Sequence, residues 1–194
     1  YFVANTTALG YEIWKTDGTA AGTVLVKDLY PGSIGSVPGN FLAVNNLLYF
    51  KGSTPGLGVE LCVSDGTAAG TFMVKDLFVG GSSDPGNLVN LNGQIIYAAH
   101  IANGNTDREL YKSDGTIAGT VLLKDINTIT ASSGTSFFTP FNGKLFFQAN
   151  NGFSGTELWM SDGTVGGTDL VKSINPGIAN ASVVNLTVVD NALF

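Results

Sequence analysis

The sequence predicts an all-β fold built from four copies of one four-stranded unit, and three observations carry that prediction. Apolar residues come in short runs rich in Val, Ile, Leu, Phe and Tyr, the composition of strands. Gly, Asn, Asp and Pro separate the runs, with 26 Gly among 194 residues, and these are the residues that build turns. One motif then recurs at a nearly constant interval along the chain, the signature of a repeat architecture.

Composition narrows the function classes. Nine Lys and Arg stand against 15 Asp and Glu, for a net charge of −6, and Arg108 is the only arginine. Nucleic-acid affinity is built on clustered cations, so no nucleic-acid partner is expected. No apolar run approaches the ~20 residues that span a bilayer, so no membrane insertion is expected either. Cys62 is the only cysteine, which excludes a disulfide within the chain. A domain of this length buries roughly 70% of its unfolded surface and needs no such staple. The chain opens Tyr1-Phe2-Val3, without an initiator Met, as expected of a processed or trimmed segment.

The repeat can be read directly. Glu12-Ile13-Trp14-Lys15-Thr16-Asp17-Gly18-Thr19 returns as Glu60-Leu61-Cys62-Val63-Ser64-Asp65-Gly66-Thr67, as Glu109-Leu110-Tyr111-Lys112-Ser113-Asp114-Gly115-Thr116 and as Glu157-Leu158-Trp159-Met160-Ser161-Asp162-Gly163-Thr164. The Asp-Gly steps at 17, 65, 114 and 162 lie 48, 49 and 48 residues apart. Each copy continues through Gly-Thr into an apolar run ending at Lys27, Lys75, Lys124 or Lys172. The chain thus divides into a single domain of four tandem repeats, approximately 1–46, 47–93, 94–142 and 143–194.

This pattern resembles the ELWxxDGT repeat family of large secreted bacterial proteins, and the resemblance covers essentially the whole chain. Cys62 and Tyr111 depart from the motif, standing where the other copies have Trp14 and Trp159. The resemblance implies an extracellular or cell-surface setting and implies no particular activity.

Within a typical repeat, strands are expected at Leu47–Lys51, Val59–Val63, Thr71–Leu77 and Leu88–Asn92, with Asn92-Gly93 turning into the next copy. Four strands in about 48 residues is the size of a β-propeller blade. The hairpin centred between Thr19 and Ala20 pairs Glu12 with Lys27, Trp14 with Leu25 and Thr16 with Thr23. The same offset recurs in Glu60/Lys75, Glu109/Lys124 and Glu157/Lys172, so cross-strand ion pairs are expected, with ligand binding by these charges as the alternative. Asp17, Asp65, Asp114 and Asp162 are expected to accept hydrogen bonds from their own turns. Calcium is the one ion they could otherwise hold, although a single loop supplies one carboxylate and nothing in the sequence requires a cofactor.

Both ends of the chain fall at the same point of the repeat. Val189-Asp190-Asn191-Ala192-Leu193-Phe194 matches Phe141-Asn142-Gly143-Lys144-Leu145-Phe146, and Tyr1-Phe2-Val3-Ala4-Asn5 matches Phe146-Phe147-Gln148-Ala149-Asn150. A closed four-bladed propeller, a part of a larger propeller and a non-propeller β-solenoid are all compatible with this.

Catalytic chemistry finds little support. With His100 and Cys62 each alone, Ser-His-Asp, Cys-His and multi-histidine metal sites are excluded by count. His100 is expected at a solvent-exposed strand end and Cys62 as an inert core thiol. Every Glu occupies the same repeat position, which the repeat explains without catalysis. Variation between copies concentrates in the stretches before the Glu-Leu-Trp strand, where recognition is usually placed. Those stretches carry Asn103, Asn105, Asp107, Arg108, Asn150, Asn151 and Phe153, polar groups with an aromatic ring that suit sugar hydroxyls. The leading expectation is a non-catalytic extracellular module that binds a protein or glycan ligand or builds a surface or filament structure by self-assembly. A carbohydrate-binding, lectin-like propeller is the alternative, and a glycan-active hydrolase a more distant one.

Overall fold

The computed structural model describes residues 1–101, 107–129 and 131–194. Among the described residues all regular structure is β, with no helix and hence none long and apolar enough to cross a membrane. The chain divides into two compact units, Tyr1–Pro85 and Gly86–Phe194. The first unit holds a three-stranded sheet, β1 (Phe2–Thr6), β2 (Gly10–Lys15) and β3 (Val24–Lys27), and a four-stranded one, β4 (Gly39–Val44), β5 (Leu47–Thr54), β6 (Gly58–Ser64) and β7 (Phe72–Met73). The second holds β8 (Gly86–Leu91), β9 (Gln94–His100), β10 (Arg108–Ser113) and β11 (Val121–Lys124) in one sheet, and β12 (Ser136–Phe141), β13 (Lys144–Asn150), β14 (Thr156–Ser161) and β15 (Asp169–Lys172) in another. A short hairpin follows, β16 (Val188–Val189) with β17 (Ala192–Leu193). Each sheet is an antiparallel meander in sequence order.

Two-residue turns set where each sheet begins. Asn92 has φ 54° and Gly93 φ 85°, and Leu91 faces Gln94 across them, so the strand before the turn pairs with the one after it. Asn142-Gly143 repeats this geometry with φ 48° and 71°, and Asn45-Asn46 does so with 51° and 62°. The four-stranded sheets therefore start at Gly39, Gly86 and Ser136, inside the sequence repeats, and the expected boundaries after 46, 93 and 142 cut through hairpins. Residues 88–91 consequently open a sheet, where the sequence reading placed them at the close of the preceding unit.

The cores lie between successive sheets of each unit. In the first, Ile13, Val26, Leu29, Leu48, Phe50 and Cys62 pack together with Met73 against them. In the second, Ile96, Leu110, Leu123, Leu145, Phe147 and Trp159 form the larger cluster. Five successive residues of β6, Glu60 to Ser64, are buried, as a strand covered on both faces requires.

A bulge corrects the expected hairpin register. Trp14 does face Leu25, and the Thr16 and Thr23 hydroxyls meet at 2.8 Å, but the ladder slips between Ile13 and Trp14 so that Lys27 faces Ile13. The same slip places Lys124 opposite Leu110 and Lys172 opposite Leu158. An extra residue in one strand moves all later positions by one, which takes each of these lysines off the strand position opposite its glutamate. Val24, opposite Lys15 at the strand end, is 39% exposed, while Val26 is buried. The strand expected at Thr71–Leu77 is regular only over Phe72–Met73, with Val74 N donating to Leu61 O at 2.8 Å beyond it.

Candidate functional site

The Asp-Gly-Thr turns are closed by their own side chains. Asp17 Oδ1 accepts from Thr19 N at 2.9 Å and Thr19 Oγ1 at 2.8 Å, Thr19 Oγ1 accepts from Gly22 N, and Thr23 Oγ1 donates to Thr19 O. Asp65, Asp114 and Asp162 repeat the network with Thr67, Thr116 and Thr164. Glycine is needed at 22, 70, 119 and 167, because a Cβ there would strike the aspartate carboxyl. These hydrogen bonds hold all four carboxyls below the usual range, the Thr19 N–H contributing most at Asp17 and the threonine hydroxyl most at the other three. Among the described residues no group of three or more His, Cys, Asp or Glu comes together as a metal cluster would require.

The glutamates form a second recurring structure, one the sequence reading missed. Glu12, Glu60 and Glu157 are fully buried and Glu109 is 2% exposed. Glu12 accepts from Leu29 N and Tyr30 N at 3.2 Å each and from Ser36 N at 2.7 Å, with the Ser36 hydroxyl as a fourth donor. Glu60 accepts from Leu77 N, Ser83 N and the Ser83 hydroxyl, and Glu109 from Ile126 N and Ser133 N, both at 2.8 Å. Glu157 takes Ile174 N and Asn175 N. Each carboxylate thus folds the linker that leaves its own sheet. The linker in turn reaches the next sheet: Ser36 O accepts from Ser53 N at 2.8 Å, and Ser133 O from Asn150 N at 2.8 Å. The only hint in the sequence is a serine 23 or 24 residues after three of the glutamates, with Ala181 in the fourth copy. Burial pushes the Glu60 carboxyl up and the Glu109 carboxyl to about 7, against the opposing pull of their hydrogen bonds.

The lysines cross between sheets. Lys27 Nζ donates to Thr71 O and Lys15 Nζ to Gly66 O, both at 2.7 Å, while Lys112 Nζ reaches Gly163 O at 3.1 Å and Lys124 Nζ reaches Val165 O at 3.4 Å. Lys75 is half-buried just past β7, and Lys172 is exposed at the end of β15. The ion pair Lys51–Asp84, at 2.8 Å, lies outside the repeat motif.

Of the candidate recognition residues, Asn103 and Asn105 lie outside the described residues. Asp107 is half-buried before β10, and Arg108 opens that strand with Nη2 donating to Ala98 O at 3.1 Å. Asn150 and Asn151 shape the β13–β14 loop: Asn150 Oδ1 accepts from Gly152 N at 2.7 Å, and Asn151 Oδ1 from Phe153 N and Ser154 N at 2.9 Å each. Phe153 is left 65% exposed at its tip. Ser133 brings the two stretches together, its N–H donating to Arg108 O at 3.1 Å and its carbonyl accepting from Asn150 N. A Cβ on Gly152 would crowd Asn127 Oδ1 and Ile129, so this loop rests on the β11–β12 linker. The surface therefore joins exposed Phe153 and 47%-exposed Ile129 to amide groups. Asn127 and Ile129 were not picked out in the sequence.

His100 is 5% exposed, a correction to the expected exposed strand end, because β10 starts opposite it with Arg108 as its partner. Cys62 is fully buried and its thiol is pushed up to about 12 by burial, which makes it inert. A cavity of about 310 Å³ beside the Asn45-Asn46 turn is lined by Tyr1, Ala43, Val44, Leu47 and Leu48, without carboxylate, imidazole or thiol.

No family model matches the chain, and no curated protein does. Among solved structures, the chain is similar to an alpha-L-arabinofuranosidase from Clostridium thermocellum, at 20% identity and a TM-score of 0.37. The match covers 73% of this chain and 50% of the enzyme, so the chain spans about half of that enzyme's length. Likeness at that level leaves both fold and chemistry to be argued from this chain's own residues.

Proposed function

We propose that the chain is a non-catalytic, extracellular β-propeller module whose repeated sheets are blades and whose loops before each Glu-Leu-Trp strand bind a partner. One observation carries the reading. The aspartates of the Asp-Gly-Thr turns and the four glutamates are engaged in holding the scaffold, the aspartates in their own turns and the glutamates in the linkers. What remains for recognition is the set of loops that differ from copy to copy. Sequential four-stranded meanders whose Asp-Gly steps lie 48 or 49 residues apart, with cores between successive sheets, support the blade assignment. Low charge and an abundance of Gly and Thr suit an extracellular setting.

Glycan is the ligand class favoured by a specific feature, the exposed Phe153 ring on a loop of amide side chains. Rings of this kind stack on sugar faces while amides meet hydroxyls. A glycan array probed with the purified chain tests this. Phe153→Ala is expected to abolish the signal while leaving the unfolding midpoint in place. An array without binding sinks the sugar reading, and capture of a protein ligand by the same loops would replace it.

A further inference from the structure

Three Asn-Gly steps fall within the described residues, at Asn92-Gly93, Asn142-Gly143 and Asn151-Gly152. This pair of residues is prone to one spontaneous reaction. The glycine amide loses its proton to base, and its nitrogen attacks the asparagine Cγ. The Cγ–Nδ2 bond breaks, ammonia leaves, and a five-membered imide forms. Water then opens the imide at either carbonyl, giving an aspartyl linkage or a main chain rerouted through the side chain as isoaspartyl. The net change is water in and ammonia out, with no oxidant or reductant.

Whether an Asn-Gly step reacts depends on the freedom of the glycine N–H and of the asparagine side chain, and the three steps differ in both. Gly93 N donates to Asn90 Oδ1 at 2.9 Å, and Asn92 Nδ2 is itself tied to Gly143 O at 3.0 Å. Gly152 N donates to Asn150 Oδ1 at 2.7 Å, and Asn151 Oδ1 is held by Phe153 N and Ser154 N. The Asn142-Gly143 turn has the same backbone form as Asn92-Gly93, with Asn142 at φ 48° and Gly143 at φ 71°, and both residues are exposed. The position equivalent to Asn90 is Pro140, which faces Leu145 as Asn90 faces Ile95. Proline carries no side-chain acceptor, so Gly143 lacks the hydrogen bond that restrains Gly93.

We infer that Asn142 is a site of self-modification, converting to aspartyl and isoaspartyl forms while Asn92 and Asn151 are protected. Conversion adds a negative charge at the β12–β13 turn. In the isoaspartyl form it also lengthens the turn by a methylene, which displaces the Gly143 carbonyl from Asn92 Nδ2.

The purified chain held at mildly alkaline pH, with peptide mass spectrometry locating the converted residue, tests the inference. Asn142 is expected to convert at least about fivefold faster than Asn92 or Asn151, the factor that one net hydrogen bond confers. Pro140→Asn supplies the missing acceptor and should slow Asn142 by about the same factor. Asn90→Ala removes the acceptor from the third sheet and should make Asn92 labile. Equal rates at the three steps in the unaltered chain overturn the inference. So does a folded Pro140→Asn chain with unchanged Asn142 conversion, and if that variant does not fold, an Asn90→Ala chain with Asn92 still protected overturns it.

Discussion

A buried carboxylate with backbone donors is held by its hydrogen bonds and strained by its desolvation, and Glu109 shows the balance. Its carboxyl sits at about 7 in the folded chain against an ordinary value of 4.5. The folded state therefore binds this proton more tightly than the unfolded state does. Stability from this group is fully present below the unfolded value and is lost as pH rises from 4.5 toward 7. Glu60 is shifted in the same direction. The turn aspartates run the opposite way: lowered from 3.8, they stabilise the fold above that value and lose the effect as pH falls through their folded values. Thermal unfolding across pH should thus show a maximum at about pH 4–5 with a decline toward neutrality. A midpoint that climbs steadily to pH 7 would contradict the assignment. Removing the acceptor should matter more than titrating it. Glu60→Ala leaves Leu77 N, Ser83 N and the Ser83 hydroxyl without their carboxylate and should cost about 2–4 kcal/mol in denaturant unfolding.

At the level of the hairpin, the Asp-Gly-Thr turn is a self-contained element, and its glycines separate two effects. Gly18 at φ 91° has open space where a Cβ would go, whereas at Gly66, φ 88°, a Cβ would meet the Tyr1 hydroxyl. Gly18→Val should lower stability by about 1–3 kcal/mol through backbone strain alone, and Gly66→Val by more, as read from paired melting curves. Equal losses would mean that Tyr1 gives way freely. The turn itself was legible in the sequence, because an Asp with Gly and Thr at fixed spacing has one local solution. So were the Trp14–Leu25 and Thr16–Thr23 contacts. The bulge between Ile13 and Trp14 was not, since nothing in residue type distinguishes a slipped ladder from a straight one, and the slip replaced an ion pair with a buried carboxylate. The glutamate's real partners are backbone amides 17 to 24 residues away, and an amide leaves no mark in a sequence. For the same reason Phe153 could be named as exposed loop surface while the linker residues beneath it, Asn127 and Ile129, could not.

Across the chain, the repeat period and the all-β class followed from spacing and composition, but the grouping of strands into two compact units did not, because packing between sheets is set by tertiary contacts. Each unit has its own core, so damage should stay within one of them. Phe147→Ala opens the cluster around Ile96, Leu110 and Leu145 and should cost about 3–5 kcal/mol. Hydrogen exchange should then accelerate in Gly86–Phe194 while the amides of Ile13 and Phe50 keep their protection; uniform loss of protection along the chain would argue for a single cooperative unit. The carboxylate that folds its linker onto the following sheet has a genetic consequence as well. One such joint forms in each unit, where Ser53 N donates to Ser36 O and Asn150 N to Ser133 O. Unequal recombination between copies can add or delete a whole period in frame, and a repeat gained in this way carries its own glutamate together with the linker that the glutamate folds.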